Sequence, residues 1–189
     1  MTPPKLTVDE LELAVRSLVG RRIARVVYYD LPSYGGSEPV WDLGQWHDVV
    51  MGVEFTTTDG GVHSASWDNS FFEYGIELVP APMAHYLLGI GAADGPRVWE
   101  VTDHPRWSAL LADPVAAARV LWDQDPADRS RIVPLAIHLG FPAGDAWVVA
   151  GRSAVWPPDG RFHLGTDDVI VGFTEEFVGR LGLESRGSS

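Results

Sequence analysis

The sequence predicts an α+β fold: a single domain over residues 1–183 with a mostly antiparallel, twisted sheet, an N-terminal amphipathic helix and a few peripheral helices, then a disordered tail at 184–189. Three observations carry this. The chain opens on a self-capped helical pattern. Short runs rich in Val, Ile, Tyr, Phe and Trp alternate apolar with polar residues and are divided by Gly, Asp and Pro turns. At 189 residues and 46% hydrophobic content the chain supplies one sizeable core, and neither a linker nor a repeat divides it.

Thr7-Val8-Asp9-Glu10 is a capping box, with Leu6 and Leu11 placed as a hydrophobic staple. Val8, Leu11, Val15 and Leu18 recur at helical spacing and Gly20 supplies a stop, which predicts a helix over 8–19. Residues 21–30 read as a strand, and 31–39 as a Pro, Gly and Ser loop. Residues 49–58 and 62–68 form a predicted hairpin. A three-residue loop, Asp59-Gly60-Gly61, sets Val53 opposite Trp67 and Glu54 opposite Ser66, keeping apolar and polar residues on separate faces. A strand over 74–79 joins them, so one face shows Glu54, Thr56, Ser64, Ser66, Asp68 and Glu77, and the pattern reads it as solvated.

Further on, a short helix is expected at 83–88, a glycine-rich connection at 89–96 and a strand at 97–102. Asp113-Pro114 reads as a helix start, with Val115, Ala118 and Trp122 as its stripe. Strands follow at 131–139, 146–153 and 169–173, and Thr174 caps a last helix over 175–181.

No cofactor is expected. The chain has no cysteine, which removes disulfides, thiolate nucleophiles and cysteine-based zinc sites. Gly89-Ile90-Gly91 lacks the third glycine of a dinucleotide loop, and no serine sits in a nucleophile elbow. The histidines show no HExxH or HxH spacing. His47-Asp48, Asp103-His104 and His163 with Asp167 and Asp168 hold a metal only if the fold brings them further ligands.

Charge points to a partner. Net charge is −12, and no lysine or arginine occurs between Arg25 and Arg97. Such a chain repels phosphate backbones, which excludes nucleic acid, and steers basic proteins toward itself. Trp67, Trp99 and Trp147 sit on strand patterns and read as core, whereas Trp41, Trp46 and Trp156 lie in or beside loops and either fold back or anchor a mate. The expected contact set is Trp41, Asp42, Trp46, Asp48, Glu54, Asp68, Glu73 and Glu77. No run has signal-peptide or membrane-spanning character, so the expectation is a cytoplasmic, non-enzymatic protein.

The run Val62-His63-Ser64-Ala65-Ser66-Trp67-Asp68-Asn69 followed by Tyr74-Gly75-Ile76 resembles small bacterial proteins, and the chain is similar in general character to the immunity proteins of bacterial toxin systems. That resemblance implies an inhibitor masking the basic cleft of a toxin or nuclease, with no residue role carried over. Two alternatives stand beside it. One is a hydrolase of a saccharide or other polar substrate using Glu54 and Asp68 as acid and base, and the other is a self-associating structural subunit.

Overall fold

The computed structural model describes residues 5–31, 41–71, 74–85, 95–125, 128–156 and 158–183. Helix α1 (Val8–Arg16) forms as its cap dictates: the Thr7 hydroxyl accepts from the Glu10 amide at 3.3 Å and the Glu10 carboxylate accepts from the Thr7 amide at 2.8 Å. It buries Leu11 and Val15, and it ends before the expected residue 19 in a turn that closes on Gly20, whose φ is 80°.

The strands divide into two antiparallel sheets where the sequence suggested one. β1 (Ile23–Asp30), β3 (Gly52–Thr57), β4 (Val62–Asp68), β5 (Gly75–Val79) and β6 (Arg97–Glu100) make the first, in the order β5-β4-β3-β1-β6. β2 (Trp46–Asp48), β7 (Ala117–Gln124), β8 (Ile132–Phe141), β9 (Gly144–Ser153) and β10 (Phe162–Gly172) make the second, in the order β2-β10-β9-β8-β7. With α1, α2 (Pro105–Leu110) and α3 (Glu175–Leu181) this is an α+β single domain.

Alternation places the core between the sheets. Val26, Tyr28, Val53, Phe55, Ile76 and Leu78 meet Ile137, Leu139, Val148, Val169 and Val171, with Leu11, Val15 and Trp107 closing the ends. A second cluster covers the outer face of the second sheet, where Phe177, Val178 and Leu181 of α3 pack on Leu135, Trp147, Val149 and Ile170. No helix among the described residues is long and apolar enough to cross a membrane.

Several expectations are corrected. The β3–β4 loop does have three residues, but they are Thr58, Asp59 and Gly60: the Thr57 amide bonds the Gly61 carbonyl at 2.8 Å, and Gly60 takes the left-handed conformation at φ 86°. Val53 therefore pairs with Ala65 and Glu54 with Ser64, two residues from the expected register, while the two faces keep their membership. The strand expected from 49 starts at Gly52 because Val50, at φ 62°, turns the chain. Residues 117–124 are strand β7 where a helix was expected. Ala118, Val120 and Trp122 fit a period of two as well as a helical stripe, and pairing with β8 decides. Helix α2 was not foreseen, although His104-Pro105 supplies a cap and a proline at the first turn. The helix expected at 83–88 is a 3-10 turn at Met83–His85, with 86–88 outside the described residues, as are most of the 89–96 connection and the 184–189 tail.

Candidate metal centre

Residues 41–48 form a tight hairpin at the edge of the second sheet. The Asp48 amide bonds the Trp41 carbonyl at 2.8 Å, the Leu43 amide bonds the Trp46 carbonyl at 3.1 Å, and Asp42 bridges to His47. Its turn is an Asx type, with Asp42 Oδ1 accepting from the Gly44 amide at 2.8 Å and Gly44 left-handed at φ 82°. β2 then adds to the edge of β10, with His47 paired to Val171. The histidine ring is thereby enclosed by Tyr28, Trp41, Phe173 and His104.

His104 arrives from the other side of the sequence. It caps α2, its Nδ1 accepting from the Arg106 amide at 3.4 Å, which leaves Nε2 directed at Asp42 Oδ2 at 3.2 Å. Arg106 Nη2 bonds the Gly44 carbonyl at 2.9 Å and ties this helix to the hairpin. Asp42, His47 and His104 together offer one ligand atom each, all within 4.8 Å of one another. Donors around a shared ion at 2.0–2.2 Å stand roughly 3–3.6 Å apart, so small side-chain rotations close the set.

Hydrogen bonding fixes the buried end of this site. The Trp107 indole can only donate, and its Nε1 meets the Tyr28 oxygen at 2.6 Å. The Tyr28 hydroxyl is then free to donate to His47 Nδ1 at 2.7 Å, which puts the proton of neutral His47 on Nε2. That Nε2 is fully buried, 3.8 Å from Asp42 Oδ1, and without a hydrogen-bond partner among the described residues. An unsatisfied buried N–H costs about 1–3 kcal/mol.

Electrostatics suit cation binding. Burial first, then His104 and Arg106 nearby, push His47 down to about 3 against the opposing pull of Asp42, so the imidazole is neutral and able to ligate at pH 7. Burial works to raise the Asp42 carboxyl, but the Gly44 amide, the His104 hydrogen bond and the two imidazoles outweigh it and hold Asp42 below its usual range.

The sequence-predicted contact residues do not form one surface. Asp42 is exposed, whereas Trp41 and Trp46 fold back and are buried. Glu54 and Glu77 are 7% and 3% exposed. The Glu54 carboxylate accepts from the Met83 amide at 2.8 Å, and Glu77 accepts from the Ser70 amide at 2.9 Å and the Ser70 hydroxyl at 2.8 Å. The chain after β5 crosses the polar face of the first sheet, with the Ser64 hydroxyl donating to the Ala81 carbonyl at 2.7 Å. Asp68 and Asp48 are half-buried, and Glu73 lies outside the described residues. The Glu54–Asp68 pair is also separated: Glu54 pairs with Ser64, so about 13 Å of strand lies between it and Asp68, beyond the spacing of paired glycosidase carboxylates. Trp156, by contrast, is 70% exposed.

Asp48 faces other carboxylates. Burial, then Asp168 and Asp30, push it up to about 7. Its folded value lies above the unfolded one of about 3.9, so the stability it contributes is complete below pH 4 and is lost as pH rises through 7. Asp48→Asn is therefore expected to stabilise the protein by about 1–3 kcal/mol at pH 8 and by little at pH 4.5. Urea denaturation at both values checks this, and an equal effect at the two would refute the assignment.

The fold brings His47 and His104 together with an acid that is the chain neighbour of neither. The acid grouped with both His47 and His104 is Asp42. The available signal was the Asp42-Leu43-Gly44 turn between two tryptophans, which folds Asp42 back onto His47. Nothing local marks His104 or Tyr28. Compared with known proteins, the chain matches no family model, no curated protein and no solved structure.

Proposed function

We propose that this protein binds a divalent first-row transition metal through a carboxylate oxygen of Asp42 and the Nε2 atoms of His47 and His104. The observation that carries the reading is the orphaned His47 Nε2, buried and aimed at Asp42 beside a second imidazole. Two imidazoles and one carboxylate suit zinc, cobalt, nickel or ferrous iron and ill suit calcium or magnesium, which take all-oxygen shells. Three protein ligands would leave room in a metal's coordination sphere for a further ligand, and Asp42 reaches solvent. Ligation through Nε2 would require the other tautomer of each imidazole. The His47 proton would shift from Nε2 to Nδ1 and be donated to the Tyr28 oxygen, that outer oxygen then acting as acceptor as it does for metal-bound histidines. The His104 proton would shift likewise, at the expense of the long bond from the Arg106 amide.

Calorimetric titration with Zn²⁺ is expected to give one site per chain. His104→Ala should weaken it at least 30-fold and the exposed His163→Ala should leave it intact. Absence of binding, or equal loss in both variants, defeats the reading.

Masking of a basic protein, with toxin neutralisation in the cytoplasm as its biological form, is supported by the net charge of −12. With Glu54 and Glu77 turned inward that support is the general field of the molecule and no defined face.

A further inference from the structure

Arg106 stands beside the proposed centre with its charge unpaired. Arg16, Arg21, Arg25, Arg131, Arg152, Arg161 and Arg180 each lie within ion-pair distance of a carboxylate, but no carboxylate pairs with Arg106 among the described residues. Its place is set from two directions. One guanidinium nitrogen bonds the carbonyl of Gly44, whose own amide is held by Asp42, and its backbone amide meets the ring of His104. The remaining guanidinium donors have no protein acceptor among the described residues.

A guanidinium held at a cation site is a repulsion unless something negative lies between. With Asp42 as the single carboxylate ligand, a dication and Arg106 leave the site electropositive. We infer that the metal and Arg106 together form a receptor for a small oxyanion, one oxygen on an open coordination position and another on the guanidinium fork; this rests on the metal reading above. Carboxylates and phosphates share the required chemistry, paired oxygens that accept two N–H bonds or bridge an N–H and an ion. The buried Trp41 Nε1, also without a partner among the described residues, belongs to the same ring cluster and is a further donor in the neighbourhood.

Co²⁺ titration followed by anion titration in one cuvette separates the two readings. The visible absorption of the Co²⁺-loaded protein should change saturably on adding sodium acetate and, in a second arm, inorganic phosphate; the tighter of the two identifies the source class. At saturating Co²⁺, Arg106→Gln should weaken that anion at least tenfold and Arg106→Lys, which keeps the charge but loses the fork, by an intermediate factor. Failure of wild type to take up Co²⁺ overturns the metal centre and this inference with it. Uptake of Co²⁺ with a spectrum indifferent to both anions, or with an anion response equal in wild type and Arg106→Gln, overturns the oxyanion receptor alone.

Discussion

Replacing Tyr28 by Phe is expected to lower stability by about 2–5 kcal/mol and metal affinity by about 10–100-fold, though the change deletes one atom. The phenol oxygen sits at the middle of a buried chain, accepting from Trp107 Nε1 at 2.6 Å and donating to His47 Nδ1 at 2.7 Å. Tyr28, His47 and Trp107 are each 0% exposed, so no solvent replaces the lost partner. Two buried nitrogens are orphaned at once, at roughly 1–3 kcal/mol each. The affinity falls for a separate reason: without an outer acceptor, His47 loses the bond that selects which ring nitrogen carries the proton when Nε2 binds an ion. Urea denaturation and Zn²⁺ calorimetry on the same variant check both. A stability loss with unaltered Zn²⁺ affinity would leave Tyr28 a core residue only. Trp107→Phe is the control, since it removes the indole donor and spares the His47 bond, and it should cost stability with a smaller change in affinity.

What was legible in the sequence divides along the range of the forces involved. Local rules found α1, because Thr7 and Glu10 are three residues apart and satisfy each other's amides. They also found which residues of β3 and β4 share a face, because pleating enforces a period of two in any register. They did not find the pairing itself: moving the loop from 59–61 to 58–60 shifts the partner by two while leaving the alternation unchanged, so the hydrophobic pattern carries no information on that choice. Nor did they show that the polar face is covered. Alternation separates two faces and is silent on what lies over either, and the segment that supplies the Ala81 carbonyl and Met83 amide has no polar signature. Glu54 and Glu77 consequently read as a surface for a partner when they are internal acceptors for backbone and serine donors. The candidate centre was the least legible part. His47 and His104 are brought together by pairing of β2 with β10 and by the Arg106 tie between α2 and the hairpin, contacts that leave no spacing in the chain.

Gly172→Ala is expected to destabilise the protein by about 2–4 kcal/mol, because a Cβ at that position would fall within the ring of Phe177. The reason is space rather than backbone conformation. Gly172 ends β10, Thr174 caps α3 by accepting from the Phe177 amide at 3.2 Å, and so short a connection folds the Phe177 ring directly onto the strand. The ring has nowhere to retreat, being packed on Phe162 with centroids 5.4 Å apart and 2% exposed. A double-mutant cycle isolates the contact: Phe177→Ala alone should cost about 3–5 kcal/mol, and Gly172→Ala on that background should cost under about 1 kcal/mol. Equal costs in both backgrounds would place the strain elsewhere. The substitution also reaches the proposed metal centre. Gly172 pairs with Trp46 and its neighbour Val171 with His47, while Phe173 packs on the His47 ring at 4.9 Å. β2 has only three residues to hold it to β10. Pushing the end of β10 off its neighbours therefore moves His47 relative to His104, which is held at the start of α2 and through Val101 to the first sheet, and Zn²⁺ affinity should fall with stability in Gly172→Ala and recover in the double variant.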